Sequence, residues 1–395
     1  MASIDLDELY TKYEGFYEPR VAIEMGGQDI SEFKKFTIEP YDISVELTSD
    51  LKASVAIFCL ANTYDAASGG FRTKDLKKYI SLGTDVTIYM GHAASVTEVF
   101  KGYVAGVDFV YDFESRGKSY IRITAMDIKG IMMANNYSKR LKANYYSDAV
   151  KEILDQQVYQ NLQNNGVIDS ITIADTPDKP AGGAPGGGGA APGGAGGAGT
   201  PDIRIEMVAE SDYDFVVKVA KRFNYEFFSL GGNVAFRKAK SNTQPLAEIT
   251  PHYSILDYNI GYDITGVVGE VKVRTLDVGK GTKIEVKKKN SGKFSMGSKA
   301  KPLISSQQYV YIDSSIESQT DAERRAEYIL EDMSYRLGHI TMTLRGMPEF
   351  VPGRFVTLKG FGDGASNNYY ITDVKHEYMG GGRYVTVLEG KAATL

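Results

Sequence analysis

The sequence is poor in the residue types that build metal and redox sites. It contains one cysteine, Cys59, and four histidines that lie far apart along the chain. A single cysteine excludes an internal disulfide and a zinc site built on thiolates. The histidines show no HExxH or other metal-ligand spacing. We therefore predict no metal site and no cofactor.

Long apolar runs are also missing. No segment approaches the roughly 18 consecutive apolar residues of a membrane-spanning helix, so we predict no membrane span. The first 17 residues carry four acidic side chains and lack the basic and apolar regions of a signal peptide, which predicts that the protein begins in the cytoplasm. A net charge of -5 gives no general reason to expect specific nucleic-acid binding.

Glycine is concentrated in one place. Of the 42 glycines, 11 fall within residues 181–200, in a run of Gly, Ala and Pro. Such a run buries too little apolar area to offset the entropy of ordering, so it predicts a flexible loop. The remaining sequence has an ordinary globular composition, and its length exceeds one ordinary core, which predicts two or three domains.

Hydrophobic periodicity divides the chain further. Period-two alternation, as in residues 43–47 and 86–90, predicts strands before Asp127, and helical spacing follows, with Ser147 as a predicted N-cap. The predicted units are an N-terminal β domain (1–126), a helical insertion (127–178), the flexible loop (179–201), a helix-hairpin α/β segment (202–262) and a C-terminal β domain (263–395).

The second half carries clearer helix signals. Ser211 with Asp214 predicts the start of a helix, and residues 225–237 predict a β-hairpin around Gly-Gly-Asn. Thr320 with Glu323 reads as a capping box that opens another helix. Strand patterns return from residue 341 to residue 388.

No pattern predicts catalysis. Gly117-Lys118-Ser119 resembles the tail of a P-loop, but position 112 is Asp112 instead of Gly, and the context predicts a charged turn between strands. Cys59 lies in an apolar strand and is predicted to be a buried structural thiol. Acidic pairs are too frequent in this chain to indicate a glycosidase site. We therefore predict no enzyme and no catalytic residue.

One segment is strongly basic. Residues 280–301 have a local net charge of +7, which leaves -12 on the rest of a chain whose net charge is -5. The segment fits a solvated hairpin whose lysines discourage edge pairing, or a docking surface for an acidic protein partner. Nucleic acid is the least favoured ligand because aromatic residues hardly interleave the lysines. The candidate partner-docking residues are Lys280, Lys283, Lys287, Lys288, Lys289 and Lys293.

Several motifs together resemble a known family. The stretch ESDYDFV at 210–216, followed by AKRFNYEFF at 220–228, resembles a segment of the VgrG and phage late control protein D family, the baseplate hub proteins of contractile injection systems. Other segments resemble further motifs of this family, in the order in which the family has them. These segments are residues 100–107, and residues 321–326 together with 348–356. The resemblance runs from about residue 20 to residue 390.

This resemblance implies a β-rich α+β fold with two tube-like antiparallel β-barrel domains and smaller helix-containing α/β insertions. It implies a homotrimer that acts as the structural baseplate hub of a contractile phage tail or related particle, a symmetry adaptor that joins the six-fold tail tube to the three-fold spike. The implied partners are a separate spike protein, because the chain stops at Leu395 without a spike segment, a tail-tube or tube-initiator protein, and other baseplate proteins. No catalytic residue is implied.

Two alternatives come from other functional classes. A tail-associated cell-wall hydrolase would need a further domain of about 100 residues, for which we find no room. An OB-like nucleic-acid binder would use residues 280–301 and lose affinity steeply with salt. The resemblance also places residues 181–200 as a loop within the hub, so we expect its shortening to have little effect on assembly.

Overall fold

A computed structural model describes residues 4–30, 38–50, 52–112, 118–179, 205–277, 281–290, 297–314, 316 and 318–395. The Gly/Ala/Pro run, Gly117, Lys280 and Lys293 lie outside the described residues. Strands predominate in the first part of the chain, as predicted. They are β1 Pro19–Met25, β2 Gln28–Asp29, β3 Glu39–Thr48, β4 Val55–Ala61, β5 Tyr64–Asp65, β6 Gly70–Phe71, β7 Asp85–His92, β8 Ser95–Asp112 and β9 Lys118–Met126.

Helices and short strands alternate in the middle. The strands there are β10 Tyr137–Arg140, β11 Ser170–Ile173, β12 Glu206–Glu210, β13 Tyr225–Leu230, β14 Asn233–Lys238, β15 Pro245–Ile249 and β16 Ile255–Tyr262. The helices up to this point are α1 Leu6–Lys12, α2 Thr73–Ile80, α3 Ile128–Met133, α4 Tyr146–Leu154, α5 Gln157–Asn164 and α6 Asp212–Phe223, with a 3₁₀ turn at Glu14–Phe16.

The last part of the chain returns to strands. They are β17 Glu270–Asp277, β18 Thr282–Lys289, β19 Gln308–Ile312, β20 Gly338–Arg345, β21 Phe355–Leu358, β22 Asn368–Met379 and β23 Arg383–Ala392. Two helices interrupt them, α7 Ala300–Ile304 and α8 Gln319–Ser334. The predicted β-rich α+β class is therefore confirmed.

One large sheet contains strands from both ends of the chain. Its order is β16-β20-β23-β22-β3-β4-β9-β8-β7-β1-β2, with β21 also pairing β22 and with β15 beside β21. The two ends meet where β3 pairs antiparallel with β22, from Ile43 opposite Tyr378 to Thr48 opposite Asp373. The amide of Ser49 extends the ladder by donating to the Thr372 carbonyl at 3.0 Å.

This path is open in the part of the chain that the structure describes. It runs from β16 at one edge to β2 at the other, so the two closed barrels that the resemblance implied are not found there. Both halves also share one core, in which Val45 and Phe58 from the first half and Met342 and Val374 from the second are buried. The division into domains stays a prediction.

A second core lies in the middle of the chain. Helices α3 to α6 pack with the pair β10-β12 and the sheet β11-β14-β13 around buried Tyr159, Phe215 and Phe227. The predicted start of α6 is confirmed: the Ser211 hydroxyl accepts from the Asp214 amide, and the Asp214 carboxylate accepts from the Ser211 amide. The predicted hairpin is confirmed as β13 paired with β14.

The aspartate of the ESD motif, Asp212, acts as a buried anchor. Its carboxylate oxygen Oδ2 accepts from the Tyr159 hydroxyl at 2.7 Å, the Asn135 amide at 2.9 Å and the Gln156 amide at 3.2 Å. Two segments, the start of α5 and the residues after α3, therefore converge on one side chain. Hydrogen bonds of this kind offset the cost of burying a carboxylate, so this aspartate holds α6 against these segments.

Two predicted helix starts are wrong. Ser147 lies inside α4, and the α4 terminus is capped by distant residues: Thr176 Oγ1 accepts from the Ser147 amide at 2.8 Å, and Asp178 accepts from the Tyr146 amide at 3.0 Å. The second error concerns α8. Its N-cap is Ser318, whose hydroxyl accepts from the Asp321 amide, two residues before the predicted Thr320.

We predict an acid-sensitive core because His376 is fully buried on β22. Its Nδ1 lies 3.1 Å from the Thr386 hydroxyl and 3.1 Å from the Tyr384 hydroxyl, and burial lowers its pKa from 6.5 to about 4. The unfolded chain then binds a proton at a pH where the folded chain does not. Stability from this group is complete above pH 6.5 and falls by roughly 3 kcal/mol as the pH drops to about 4.

Urea unfolding of the wild type and of His376→Asn between pH 7.5 and pH 4 measures this effect. We expect a shallower loss of stability with pH in the variant, while His339→Asn, at an exposed histidine, keeps the wild-type slope. Equal slopes for His376→Asn and the wild type would contradict the assignment.

Candidate partner-binding surface

The basic segment forms part of a small separate sheet. β18 pairs antiparallel with β17, and β17 pairs parallel with β19, in the order β18-β17-β19. Alternation gives the sheet two faces. Val271, Val273 and Val286 are buried in a core with apolar residues of α8, such as Ile329. The opposite face, which we call the basic face, points away from α8.

Residues of all three strands form the basic face. Cross-strand register places Lys287 opposite Lys272, and Glu285 opposite Arg274, on neighbouring strands. The third strand adds apolar side chains, because Val310 lies opposite Lys272 and Ile312 lies opposite Arg274. The basic face therefore combines lysine and arginine with exposed apolar residues. This composition suits a protein partner better than a purely charged surface would.

Glu285 is the electrostatic centre of the basic face. Its carboxylate lies 2.6 Å from the Lys272 ammonium and 3.0 Å from the Arg274 guanidinium, and it also pairs with Lys283. The hydrogen bond from Lys272, followed by that from Lys283, lowers the pKa of Glu285 to about 2. Glu285 therefore stays ionised at any physiological pH and holds these side chains in place.

The structure separates the candidate lysines by strand alternation. Lys283, Lys287 and Lys289 are exposed and share the basic face, and Lys289 lies 3.8 Å from Glu270. Lys288 is half-buried and points to the other face, since its cross-strand neighbour is the buried Val271. Their role in docking stays a prediction.

Sequence reasoning missed four residues of this face. Lys272 and Arg274 lie outside the lysine-rich segment, and Val310 and Ile312 lie beyond it, with Ile312 74% exposed. Alternation in VKVRT at residues 271–275 marks Lys272 and Arg274 as one face of a strand. The parallel pairing of β19 with β17 has no local signal, because it depends on a crossover through α7.

The basic face is fixed to the middle of the molecule through α8. Arg222 of α6 pairs with Asp321 at 3.1 Å, and Arg325 donates to the Lys221 carbonyl at 2.6 Å. Arg325 also donates to the Tyr311 hydroxyl of β19 at 2.8 Å. A cleft of about 260 Å³ between α6 and α8 is lined by these arginines together with Asp313 and Asp321. The ion pair and the hydrogen bonds of Arg325 hold α8 against α6 beside this cleft.

Cys59, Lys118 and Ser119, the other sequence candidates, lie in strands of the large sheet. Cys59 is buried on β4, and burial raises the pKa of its thiol. Lys118 and Ser119 begin β9, which pairs with β8, so the strand context predicted for the P-loop-like sequence is confirmed. The described residues contain no cluster of His, Cys, Asp and Glu that could hold a metal. Among the described helices, none is long and apolar enough to cross a membrane.

The fold is similar to that of phage tail proteins. A tail protein from Neisseria meningitidis superposes with a TM-score of 0.63 at 13% identity, over 95% of this chain and 97% of that one. The 43 kDa tail protein of prophage MuSo2 from Shewanella oneidensis gives a TM-score of 0.61 at 13% identity, over 94% and 98%.

A third similar structure is an Escherichia coli component of the type VI secretion system, described as similar to the T4 bacteriophage tail proteins gp27 and gp5. It gives a TM-score of 0.53 at 9% identity, over 94% of this chain and 76% of that one. At these identities the similarity establishes a shared fold. The similarity to these tail and secretion proteins extends over nearly the whole of this chain.

Sequence comparison adds one partial match. The family described as Alg8 N-terminal domain matches residues 203–380, less than half of the chain. The match ends at the turn between β22 and β23, so it divides a hairpin of the large sheet. No curated protein matches the sequence.

We predict that Lys272 controls the titration of Glu285. Replacing Lys272 by Met removes the first of the interactions that lower the Glu285 pKa, so the pKa rises from about 2 toward its ordinary value of 4.5. Carboxyl carbon NMR between pH 1.5 and pH 6 measures it. Lys289→Met is the matched control, because Lys289 pairs with Glu270 instead. An unchanged Glu285 pKa in Lys272→Met would contradict the geometry.

Proposed function

We propose that this chain is the structural hub of a contractile phage tail or related injection particle, a homotrimer that joins the tail tube to a separate spike protein. The observation that carries the proposal is the fold. It matches phage tail proteins over at least 94% of this chain and at least 97% of theirs. The hub motifs quoted from the sequence lie along the same span.

The architecture suits a mechanical role. Pairing of β3 with β22 makes a single sheet of both halves, so a force on one half passes through backbone hydrogen bonds to the other. The Lys52–Asp373 ion pair at 2.9 Å lies beside this junction. A component that transmits load between a tube and a spike needs such a rigid connection.

The basic face is the proposed docking surface for another protein of the baseplate. It offers half-buried Arg274 and three exposed lysines of β18 beside exposed Val310 and Ile312, while Lys272 is buried and paired with Glu285. Charged residues around an apolar strip steer and orient a partner whose surface is acidic. The proposed protein is made in the bacterial cytoplasm and assembled into the particle.

The trimer is tested by mass photometry and native mass spectrometry of the full chain at micromolar concentration, alone and with its spike partner. We expect a species with three times the mass of one chain, since hub contacts of this kind are large and obligate. A chain that stays monomeric even with the spike protein would overturn the proposal.

The rival hydrolase function is tested on purified cell wall. We expect no clearing in a zymogram with the purified trimer. Clearing that disappears on substitution of one specific carboxylate would show that the chain is an enzyme.

Docking through the basic face is tested with the triple variant Lys283→Gln, Lys287→Gln, Lys289→Gln. We expect about tenfold fewer assembled particles, because long-range attraction to an acidic partner is weakened. The matched control replaces the exposed Lys74, Lys77 and Lys142 by Gln, with the same change in charge. Equal assembly by the two triple variants would contradict this docking surface.

A further inference from the structure

The open edges of the sheets differ in their protection against other strands. Exposed strand edges pair with foreign strands unless lysine, proline, bulges or short length prevent it. β18 carries lysines along its edge, and β2 is two residues long. β15 begins with Pro245 and is bridged at Ala247 by Ile4. β16 has a register shift between Ile255 and Asp257.

β19 has none of these protective features. Its sequence Gln308-Tyr309-Val310-Tyr311-Ile312 has no charge, no proline and no glycine. It lies at the edge of its sheet in the part of the chain that the structure describes. Tyr309, Val310 and Ile312 are 41%, 44% and 74% exposed. One edge of this sheet is therefore protected by lysines, and the opposite edge is apolar and accessible.

The edge is also held in a fixed conformation. β19 pairs with β17 along its whole length, from Gln308 opposite Glu270 to Ile312 opposite Arg274. The Arg325 guanidinium donates to the Tyr311 hydroxyl and lies over the Tyr311 ring at 5.0 Å, which ties the strand to α8. A preformed strand lowers the entropy that a binding partner must lose.

We propose that the edge of β19 accepts an extended segment of a partner protein, which adds a fourth strand to the sheet β18-β17-β19. The inference rests on the proposed function, since it specifies how the docking surface holds its partner. Strand addition supplies main-chain hydrogen bonds, and alternate side chains supply specificity. Because side chains alternate along a strand, the acidic side chains of the added strand would lie on the basic face, next to Val310 and Ile312, and its apolar side chains would lie on the other face, next to Tyr309.

The charge of the basic face indicates which charge the partner segment carries. Besides buried Lys272, the basic face carries Arg274 and the three exposed lysines of β18 against Glu270 and Glu285, a net positive surface. An acidic, apolar strand complements it. A second copy of this chain does not, because pairing β19 with β19 would bring two basic faces side by side, and like charges repel. The occupant is therefore an acidic extended segment of a different protein.

Two peptides test the charge requirement on the full chain. Both have seven residues, one alternating Glu and Val and the other alternating Lys and Val, each with a fluorophore. Fluorescence anisotropy measures affinity, and hydrogen exchange followed by mass spectrometry locates binding. We expect the Glu peptide to bind at least tenfold more tightly and to slow exchange at residues 308–312. A Glu peptide with a central proline is expected to lose binding, because it cannot complete the ladder.

A pair of variants tests the edge itself. Val310→Asp with Ile312→Asp should weaken binding of the Glu peptide at least tenfold. The control, Val208→Asp with Leu303→Asp, changes two residues that are 71% and 65% exposed elsewhere and adds the same charge. We expect it to bind within twofold of the wild type. Thermal unfolding of both variants confirms that they fold.

Three results would overturn the proposal: equal binding of the Glu and Lys peptides, no binding of either, or protection outside residues 308–312. Self-association of the chain with protection confined to β19 would also overturn it, by making a second copy the occupant. The trimer measurement is independent of these assays. A monomeric chain that binds the Glu peptide at β19 would refute the hub proposal and leave strand addition intact.

Discussion

The antiparallel pairing of β3 with β22 is the constraint on which the rest of the fold depends. These strands lie more than 300 residues apart in sequence, yet they pair from Ile43 opposite Tyr378 to Thr48 opposite Asp373. In the sheet, β4 and β9 follow β3 on one side of this pair, and β23 and β20 follow β22 on the other. The contact between them is made by backbone groups, which tolerate many side chains. The similar tail proteins share this fold at 13% identity.

Local sequence patterns predicted the elements better than their connections. Alternation marked β3 and β7, and the Ser211–Asp214 pair marked the start of α6, because each signal lies within one element. Ser147 failed as an N-cap because Thr176 and Asp178 cap α4 from about 30 residues away. At α8, the T-x-x-E pattern at Thr320 did not mark the start of the helix, because the Ser318 hydroxyl caps it two residues earlier. The β3–β22 junction has no local signal, since long-range register depends on the complete core.

For the basic face too, the sequence shows the local feature, and strand pairing supplies the rest. The lysine-rich segment is evident in the sequence, but composition alone does not sort its lysines between the two faces of the sheet. Strand alternation assigns Lys288 to the inner face and leaves Lys283, Lys287 and Lys289 outside. Strand pairing then adds Lys272 and Arg274 from β17 and the apolar edge of β19. Glu285 of β18 forms ion pairs with both of these β17 residues. A run of like charges thus becomes a mixed surface with one protected edge and one accessible edge.

Electron cryomicroscopy of the assembled particle, reconstructed without imposed symmetry, tests the hub assignment most directly. We expect three copies of this chain around the particle axis, between the six-fold tube and the three-fold spike, each with β3 and β22 paired in one continuous sheet. Density for the chain away from the axis, or in a copy number other than three, would contradict the assignment.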